Sequence, residues 1–159
     1  MTERQPGIFE CETQSPRETE MLGAGLAALL PGGSVVALRG PLAAGKTCFV
    51  RGMASALAVR SHVHSPTFTI VNEYGGTPNL IHVDLYRLFN TQEVLDLGPE
   101  DLFDPVGICA VEWAERAEPL LPVKRVDVVF EHAGADRRCI RVVNHGLLPE
   151  GWQDRLCPA

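Results

Sequence analysis

Apolar positions in this chain are grouped into short runs, and Gly, Pro, Asn and Ser separate one run from the next. Runs of this length that are rich in β-branched and aromatic residues are typical of buried strands. The predicted strands are Ile8–Cys11, Val35–Leu38, Thr67–Tyr74, Leu80–Tyr86, Gly107–Glu112, Val126–Glu131 and Cys139–Val143. The third and fourth of these predict a hairpin, and the last two predict an antiparallel pair.

Three other stretches carry helical signals. Ser15-Pro16-Arg17-Glu18 combines an N-cap serine, a first-turn proline and a capping-box glutamate, so a helix should begin there. It should end at Pro31-Gly32-Gly33. Further helices are expected over Cys48–Leu57 and, more briefly, over 91–97. The first helix should bury five apolar residues, namely Met21, Leu22, Leu26, Leu29 and Leu30.

A phosphate-binding pattern lies between the strand Val35–Leu38 and the helix Cys48–Leu57. Residues Gly40–Thr47 fit G-x-x-x-x-G-K-[ST] at every fixed position. Such a loop points backbone N–H groups at one spot over a helix N-terminus, where the dipole also favours an anion. Lys46 would serve the β- and γ-phosphates, and Thr47 would offer its hydroxyl to Mg²⁺. The residues predicted to contact the nucleotide phosphates are Gly40, Ala43, Ala44, Gly45, Lys46, Thr47 and Cys48.

Together these patterns predict one α/β domain of the P-loop NTPase class over residues 1–159. The central sheet should be mainly parallel, with antiparallel strands at its edges and helices on both faces. The length suits a single core. Residues 146–159 are marked by Pro and Gly, and we expect this tail to be loosely held.

Composition restricts the compartment and the partners. The five cysteines are widely spaced without a C-x-x-C pair, and three of them, Cys48, Cys109 and Cys139, lie in apolar segments typical of a core. No secretory signal or membrane span is evident, so a cytoplasmic protein is expected. The net charge is −6 and only two lysines are present, Lys46 and Lys124. A basic stripe for RNA is therefore not indicated, and if RNA is involved, another protein should hold most of it.

Two carboxylates stand at strand ends, where they could complete the phosphate site. Glu112 closes an apolar run and is a candidate Mg²⁺ ligand, although it could instead cap the following helix. Asp84 lies inside an apolar strand and is a candidate for supporting catalysis, although an ion pair with Arg87 would also explain it. His82 should share the strand face of Asp84. Taken alone, His82 is better interpreted as a core histidine bound to backbone.

Other candidates are weaker. His62 and His64 have the spacing of a metal pair, but with no third ligand evident they are interpreted as loop residues. Trp113 could stack on the nucleotide or a partner, or simply pack half-buried.

The ordered motifs resemble the TsaE (YjeE-type) family of P-loop ATPases needed for threonylcarbamoyladenosine in bacterial tRNA. The resemblance covers about residues 15–145. It rests on Gly40–Thr47, Ser65-Pro66-Thr67-Phe68-Thr69, Glu73-Tyr74, His82-Val83-Asp84-Leu85-Tyr86-Arg87 and Glu112-Trp113-Ala114-Glu115.

The resemblance implies a Mg²⁺-dependent ATPase that is not the transferase itself. The protein would dock on a transferase of the TsaD type and its TsaB-type companion, and would hydrolyse ATP slowly without them. By motif, Lys46 and Thr47 would bind phosphates and Mg²⁺, Glu112 would be the second metal ligand, and Asp84 would support hydrolysis. Ser65–Thr69 would be a switch-like loop near the γ-phosphate. Thr19 matches a position near the nucleotide base.

The phosphate loop departs from the family's usual G-D-L-G-A-G-K-T at Pro41 and Ala43. Phosphate binding should persist because the fixed positions survive, and the hydrolysis rate should be affected more. Alanine suits position 43 only if that residue does not need a positive φ.

Two rival functions stay open. A small-molecule kinase would need a lid that carries arginine, for which only Arg137-Arg138 is a candidate. A nucleotide-gated binding switch would hydrolyse little ATP. A GTPase is disfavoured because the chain has no N-K-x-D motif.

Overall fold

The computed structural model describes residues 7–64, 70–103 and 106–156. Seven strands form one sheet, and helices lie between them along the chain. In chain order the elements are β1 (Ile8–Thr13), α1 (Pro16–Ala27), β2 (Val35–Arg39), α2 (Lys46–Ala56), β3 (Val71–Tyr74), β4 (Leu80–Asp84), α3 (Thr91–Asp96), α4 (Pro99–Leu102), β5 (Ile108–Glu112), a 3₁₀ helix (Ala114–Leu120), β6 (Arg125–His132), β7 (Arg138–His145) and α5 (Trp152–Leu156).

The strands lie in the order β1-β7-β6-β2-β5-β4-β3. The central pairs β6–β2, β2–β5 and β5–β4 are parallel. The outer pairs β1–β7, β7–β6 and β4–β3 are antiparallel. The prediction of a mainly parallel sheet with antiparallel edges is therefore confirmed. A parallel centre matters for function because it brings the carboxyl ends of β2, β4 and β5 to one edge.

Each face of the sheet is covered by a separate apolar cluster. On one face α1, α2 and α5 pack over the sheet, and the Phe49 ring of α2 lies 5.5 Å from that of Phe130 of β6. On the other face α3, α4 and the 3₁₀ helix cover Val83 and Val111. The expected placement of helices on both faces is confirmed, and it explains why the central strands are mainly apolar on both sides.

The N-terminal cap of α1 forms as predicted. The Glu18 backbone N–H donates to Ser15 Oγ at 3.2 Å, and the Glu18 carboxylate accepts from the Gln14 N–H. The prediction that Met21 is buried is wrong, since 54% of its surface is exposed. Met21 follows Arg17 by one turn and therefore lies on the solvent face of the helix. The helix also ends earlier than expected, at Ala27.

Two glycines set how closely α1 and α2 cross. A Cβ on Gly23 would lie 2.1 Å from the carbonyl oxygen of Phe49, and one on Gly52 would lie 1.8 Å from that of Glu20. No side chain fits at either position. The contact fixes the start of α2 relative to the sheet, and the phosphate loop leads directly into that start.

The segment after β7 is better packed than the sequence indicated. Leu148, Trp152 and Leu156 are each less than a tenth exposed and belong to the core cluster beneath α1. The Trp152 ring lies 6.5 Å from that of Phe9. The expected loose tail is therefore not seen over 147–156, because three apolar side chains anchor this segment. Residues 157–159 lie outside the described residues.

The cysteines divide by environment. Cys48, Cys109 and Cys139 form no disulfide. Cys109 is buried as expected, and burial raises the pKa of its thiol to about 12. Cys139 is exposed and Cys48 is partly exposed, so the prediction that they are core residues is wrong. Cys139 alternates on β7 with the buried Ile140 and so points away from the covered face. Among the described residues, no helix is long and apolar enough to cross a membrane.

Candidate functional site

A cavity of about 440 Å³ opens where β2, β4 and β5 end. Its floor is the phosphate loop and the start of α2. The lining residues are Leu42, Ala43, Ala44, Gly45, Lys46, Thr47, Cys48, Ile70, Asp84, Tyr86, Arg87, Glu112 and Trp113. Most of the residues predicted from motifs are thereby brought to one place.

The start of α2 is arranged for an anion. Gly45 is the N-cap in the left-handed region, with φ 101°, and makes no side-chain capping hydrogen bond. The N–H groups of the first turn are thus left without a side-chain partner from the cap. Together with the positive end of an eleven-residue helix, they favour a bound phosphate.

Lys46 is held inside the loop that it serves. Its Nζ donates to the carbonyl oxygens of Gly40 at 2.5 Å and Pro41 at 3.1 Å, and only 4% of the residue is exposed. Burial lowers its pKa, while the negative charges of Glu112, Glu115 and Asp84 oppose that shift. A phosphate oxygen would offer this buried ammonium a stronger partner than neutral carbonyls do.

Trp113 packs against this lysine. The Lys46 Nζ lies 3.9 Å from the centroid of the Trp113 ring. The centroid of the Tyr86 ring lies 5.1 Å from that of the Trp113 ring. Trp113 adopts φ 58°, a left-handed conformation that is costly for a bulky residue. This turn at the end of β5 directs the indole over the phosphate loop. Trp113 packs against Lys46 and also lines the cavity, so its stacking on a nucleotide or a partner stays a prediction.

Glu112 connects the phosphate loop to the sheet. Its Oε2 accepts hydrogen bonds from Thr47 Oγ1 at 2.9 Å and from His82 Nε2 at 2.5 Å. In the sheet register it stands beside Leu38 of β2 on one side and Asp84 of β4 on the other. The alternative that Glu112 caps the next helix is not what the structure shows, because the N-cap there is Trp113 without a side-chain bond.

His82 has a different partner from the one expected. It is fully buried, but its Nε2 binds Glu112 and not a backbone group. A carboxylate accepts hydrogen bonds, so Nε2 carries the proton. The other ring nitrogen, Nδ1, has no hydrogen-bond partner among the described residues. The sequence could not reveal this contact because it depends on the register between β4 and β5.

Asp84 ends β4 at the cavity wall. Its Oδ1 accepts from the Tyr86 N–H at 2.9 Å, and Arg87 lines the same cavity. The site therefore gathers a lysine, a hydroxyl and two carboxylates around a helix N-terminus. Hydroxyl and carboxylate oxygens held 2.9 Å apart suit Mg²⁺, which prefers hard oxygen ligands and keeps several waters. The donor set fits a magnesium ion and a polyphosphate.

A family model described as "Threonylcarbamoyl adenosine biosynthesis protein TsaE" matches residues 13–140. The chain belongs to the TsaE family. It is 41% identical over 120 residues to the TsaE protein of Treponema pallidum, covering 76% of this chain and 89% of that one. The TsaE protein of Bacillus subtilis is 42% identical over 127 residues, with 79% of each chain covered.

The fold of a relative agrees with this membership. The crystal structure of Bacillus subtilis YdiB superposes with a TM-score of 0.76 at 34% identity, over 94% of this chain and 91% of that one.

Some predicted site residues lie outside the cavity of this TsaE-family chain. Gly40 is not in its lining; a Cβ there would meet the Phe130 carbonyl oxygen at 2.6 Å, so the position is required for packing. Thr19 is buried below the loop and shares a 2.8 Å hydrogen bond with Thr13. A direct contact of Thr19 with a base would need it to become exposed.

The remaining candidates give less. The segment Ser65–Thr69 lies outside the described residues. His62 and His64 stack with ring centroids 6.5 Å apart in a loop. No group of three histidine, cysteine or acidic side chains suited to a metal occurs in the described part of the chain.

Two residues of the β6–β7 hairpin reach the phosphate loop, and no motif indicated them. His132 donates to the Leu42 carbonyl oxygen and Arg138 to that of Ala43. The sequence points to Arg138 only as part of a kinase lid. Its contacts with the loop were not predictable, because ninety or more residues separate the partners in sequence.

Proposed function

We propose that this TsaE-family chain binds and hydrolyses ATP with Mg²⁺ in the biosynthesis of threonylcarbamoyladenosine in tRNA. The observation that carries the proposal is the 2.9 Å hydrogen bond between Thr47 and Glu112. It joins the last residue of a phosphate loop to a carboxylate at the end of the adjacent parallel strand. Such a pair could serve as ligands for the Mg²⁺ ion that accompanies a bound nucleoside triphosphate.

The roles of the residues follow from their positions. The backbone of 43–48 and Lys46 bind the phosphates, while Thr47 and Glu112 hold the metal. Magnesium, when bound, neutralises charge that develops on the phosphate oxygens. Asp84, beside Glu112 in the register, orients the attacking water. His82 keeps the Glu112 carboxylate turned towards Thr47.

We further propose that the chain acts on a transferase of the TsaD type with its TsaB-type companion, in the cytoplasm. The relatives of this chain are named as TsaE proteins of tRNA threonylcarbamoyladenosine biosynthesis. An acidic chain with two lysines is poorly suited to grip tRNA alone, which supports indirect contact. A kinase is less well supported, because Arg138 is engaged with the phosphate loop and does not project as a lid.

The test of nucleotide binding is Lys46→Ala. We expect calorimetry with ATP and Mg²⁺ to show at least a hundredfold weaker binding, because a buried charge-assisted contact is lost. Lys124→Ala is the matched control, since Lys124 is the only other lysine and is exposed. Unchanged affinity in a folded Lys46→Ala protein, checked by circular dichroism, would contradict the proposal.

A further inference from the structure

The β6–β7 hairpin contacts the phosphate loop at several points between the two ends of the loop. The Phe130 carbonyl oxygen lies 2.6 Å from where a Cβ of Gly40 would stand. At the other end of the loop, Arg138 Cγ lies 4.0 Å from the corresponding point on Gly45. The hairpin thus brackets the whole loop, from its first glycine to the N-cap of α2.

Between these points the hairpin donates two hydrogen bonds to the loop backbone. His132 Nε2 is 3.2 Å from the Leu42 carbonyl oxygen, and Arg138 Nη2 is 3.3 Å from that of Ala43. Both acceptors belong to the apex of the loop. Their carbonyls are therefore turned towards the hairpin, away from any anion above the α2 N-terminus.

The apex has an unfavourable backbone. Ala43 adopts φ 59° in the left-handed region, which is strained for a residue with a Cβ. Alanine suits position 43 only if the residue there does not need a positive φ, and the structure does not meet that condition. Because alanine is strained in this conformation, contacts from outside the loop must hold it. The glycine that is usual in the family at this position would adopt the conformation without strain.

Arg138 is itself firmly anchored. Its Nη1 donates to the carbonyl oxygens of Ala135 at 2.7 Å and Arg137 at 2.8 Å. The guanidinium therefore bridges the hairpin turn and the loop apex through one rigid plane. A bridge of this kind transmits the rigidity of the sheet to the loop.

We propose that Arg138, assisted by His132, is a positioning residue that holds the strained apex of the phosphate loop. This chain requires the bridge because it carries alanine at position 43. The inference rests on the proposed nucleotide binding for its functional consequence, though not for the coupling between the two residues. Arg138 acts through Ala43 and needs no contact with the nucleotide.

A double-mutant cycle tests the proposal. The variants are Arg138→Ala, Ala43→Gly and both together, with Arg138→Lys as the conservative change. Arg141→Ala serves as the control, because Arg141 lies on the same strand and pairs with Glu10, remote from the loop. Melting midpoints of the ligand-free proteins and affinities for ATP with Mg²⁺ are measured for each.

We expect Arg138→Ala to lower the melting midpoint by less than about 1 °C in the chain with Ala43 and by about 3 °C in the Ala43→Gly background, because loss of the bridge lets alanine relax from its strained conformation and recover part of the cost, whereas glycine has no strain to release. Affinity for ATP should fall about tenfold in the first case and less than about threefold in the second. Arg138→Lys should lie between, because lysine cannot span both sets of carbonyls. Arg141→Ala should match the wild type in affinity.

Equal losses of affinity in both backgrounds would overturn the proposal, since they would indicate that Arg138 contacts the nucleotide directly. Melting midpoints that add without coupling would overturn it as well. Should the wild type bind no ATP, the proposed function fails, and the ligand-free melting cycle still decides whether the bridge exists.

Discussion

At the scale of single residues, one oxygen atom organises the candidate metal site. Glu112 Oε2 accepts hydrogen bonds from both Thr47 and His82, while 4% of the glutamate is exposed. The carboxylate is therefore oriented towards Thr47 before any cation arrives. A buried partner that orients a ligand in this way commonly tunes affinity for the metal.

His82 should therefore affect the dependence on Mg²⁺. We expect His82→Leu to raise the Mg²⁺ concentration for half-maximal ATP hydrolysis about tenfold, because the carboxylate loses one of its two donors. His82→Gln keeps a donor near Nε2 and should lie closer to the wild type. Titration of turnover with Mg²⁺ at saturating ATP measures this. If both variants shift only the melting midpoint, His82 has a packing role alone.

Asp84 should act on turnover and not on binding. We expect Asp84→Asn to lower kcat about tenfold, because a neutral amide holds the attacking water less firmly than a carboxylate does. The dissociation constant for ATP should change less than about threefold. Steady-state kinetics and calorimetry separate the two. Should the variant instead lose stability with ordinary kinetics, the interpretation of Asp84 as a structural ion-pair partner would be the better one.

What could be predicted at this scale depended on fixed spacing. The loop residues and Lys46 were identified because their chemistry requires that order along the chain. His82 was assigned the wrong partner, and the bridge from Arg138 to Ala43 was missed. Both depend on which strands become neighbours, and a single sequence does not state that register.

At the scale of elements, the strands were predicted to within a few residues, since their apolar runs are bounded by turn residues. Helix faces were less certain. Met21 satisfies helical spacing yet is exposed, because α1 meets α2 through Gly23 and Thr19 and turns that side to solvent. The packing of α5 was missed since a five-residue helix carries almost no periodic signal.

An ionic cluster joins four elements on the face of the sheet that the 3₁₀ helix covers. Asp127 of β6 binds Arg125 at 2.9 Å and His145 of β7 at 2.8 Å, and Arg39 of β2 lies 3.4 Å away. Glu118 of the 3₁₀ helix pairs with Arg39 at 2.6 Å. Burial would raise the pKa of Asp127, but the hydrogen bonds from Arg125 and His145 and the charge of Arg39 outweigh it, so the pKa is lowered.

The lowered pKa predicts how stability depends on pH. A carboxyl group with a folded pKa below its ordinary 3.8 stabilises the fold above that value, and this contribution is lost as the pH falls through the folded pKa. We expect Asp127→Asn to cost about 2 kcal/mol of unfolding free energy at neutral pH. Urea unfolding from about pH 7 to pH 3 should show this difference narrowing at the acid end. A difference independent of pH would argue for packing instead of charge.

At the scale of the whole molecule, the negative net charge of the protein disfavours binding of an anionic nucleotide. The protein carries a net charge of −6, and its cavity holds the carboxylates of Asp84 and Glu112 beside Lys46 and Arg87. Free ATP is itself an anion, so repulsion between the cavity carboxylates and the nucleotide must be offset by a cation. A chain built this way is expected to favour the magnesium complex of ATP, and to leave contact with anionic tRNA to other proteins.

The partners should therefore determine how fast this protein turns over. We expect slow ATP hydrolysis by the isolated chain and at least tenfold faster hydrolysis with a TsaD–TsaB-type complex, because ordering of a loop near the γ-phosphate can couple nucleotide state to a docked surface. The decisive assay is formation of threonylcarbamoyladenosine on tRNA over several turnovers, with wild type, Lys46→Ala, or no added chain. Lys46→Ala should resemble the omission. If the transferase complex completes successive turnovers equally well without this chain, or if the chain alone binds tRNA tightly at physiological salt, its proposed role in the pathway is wrong.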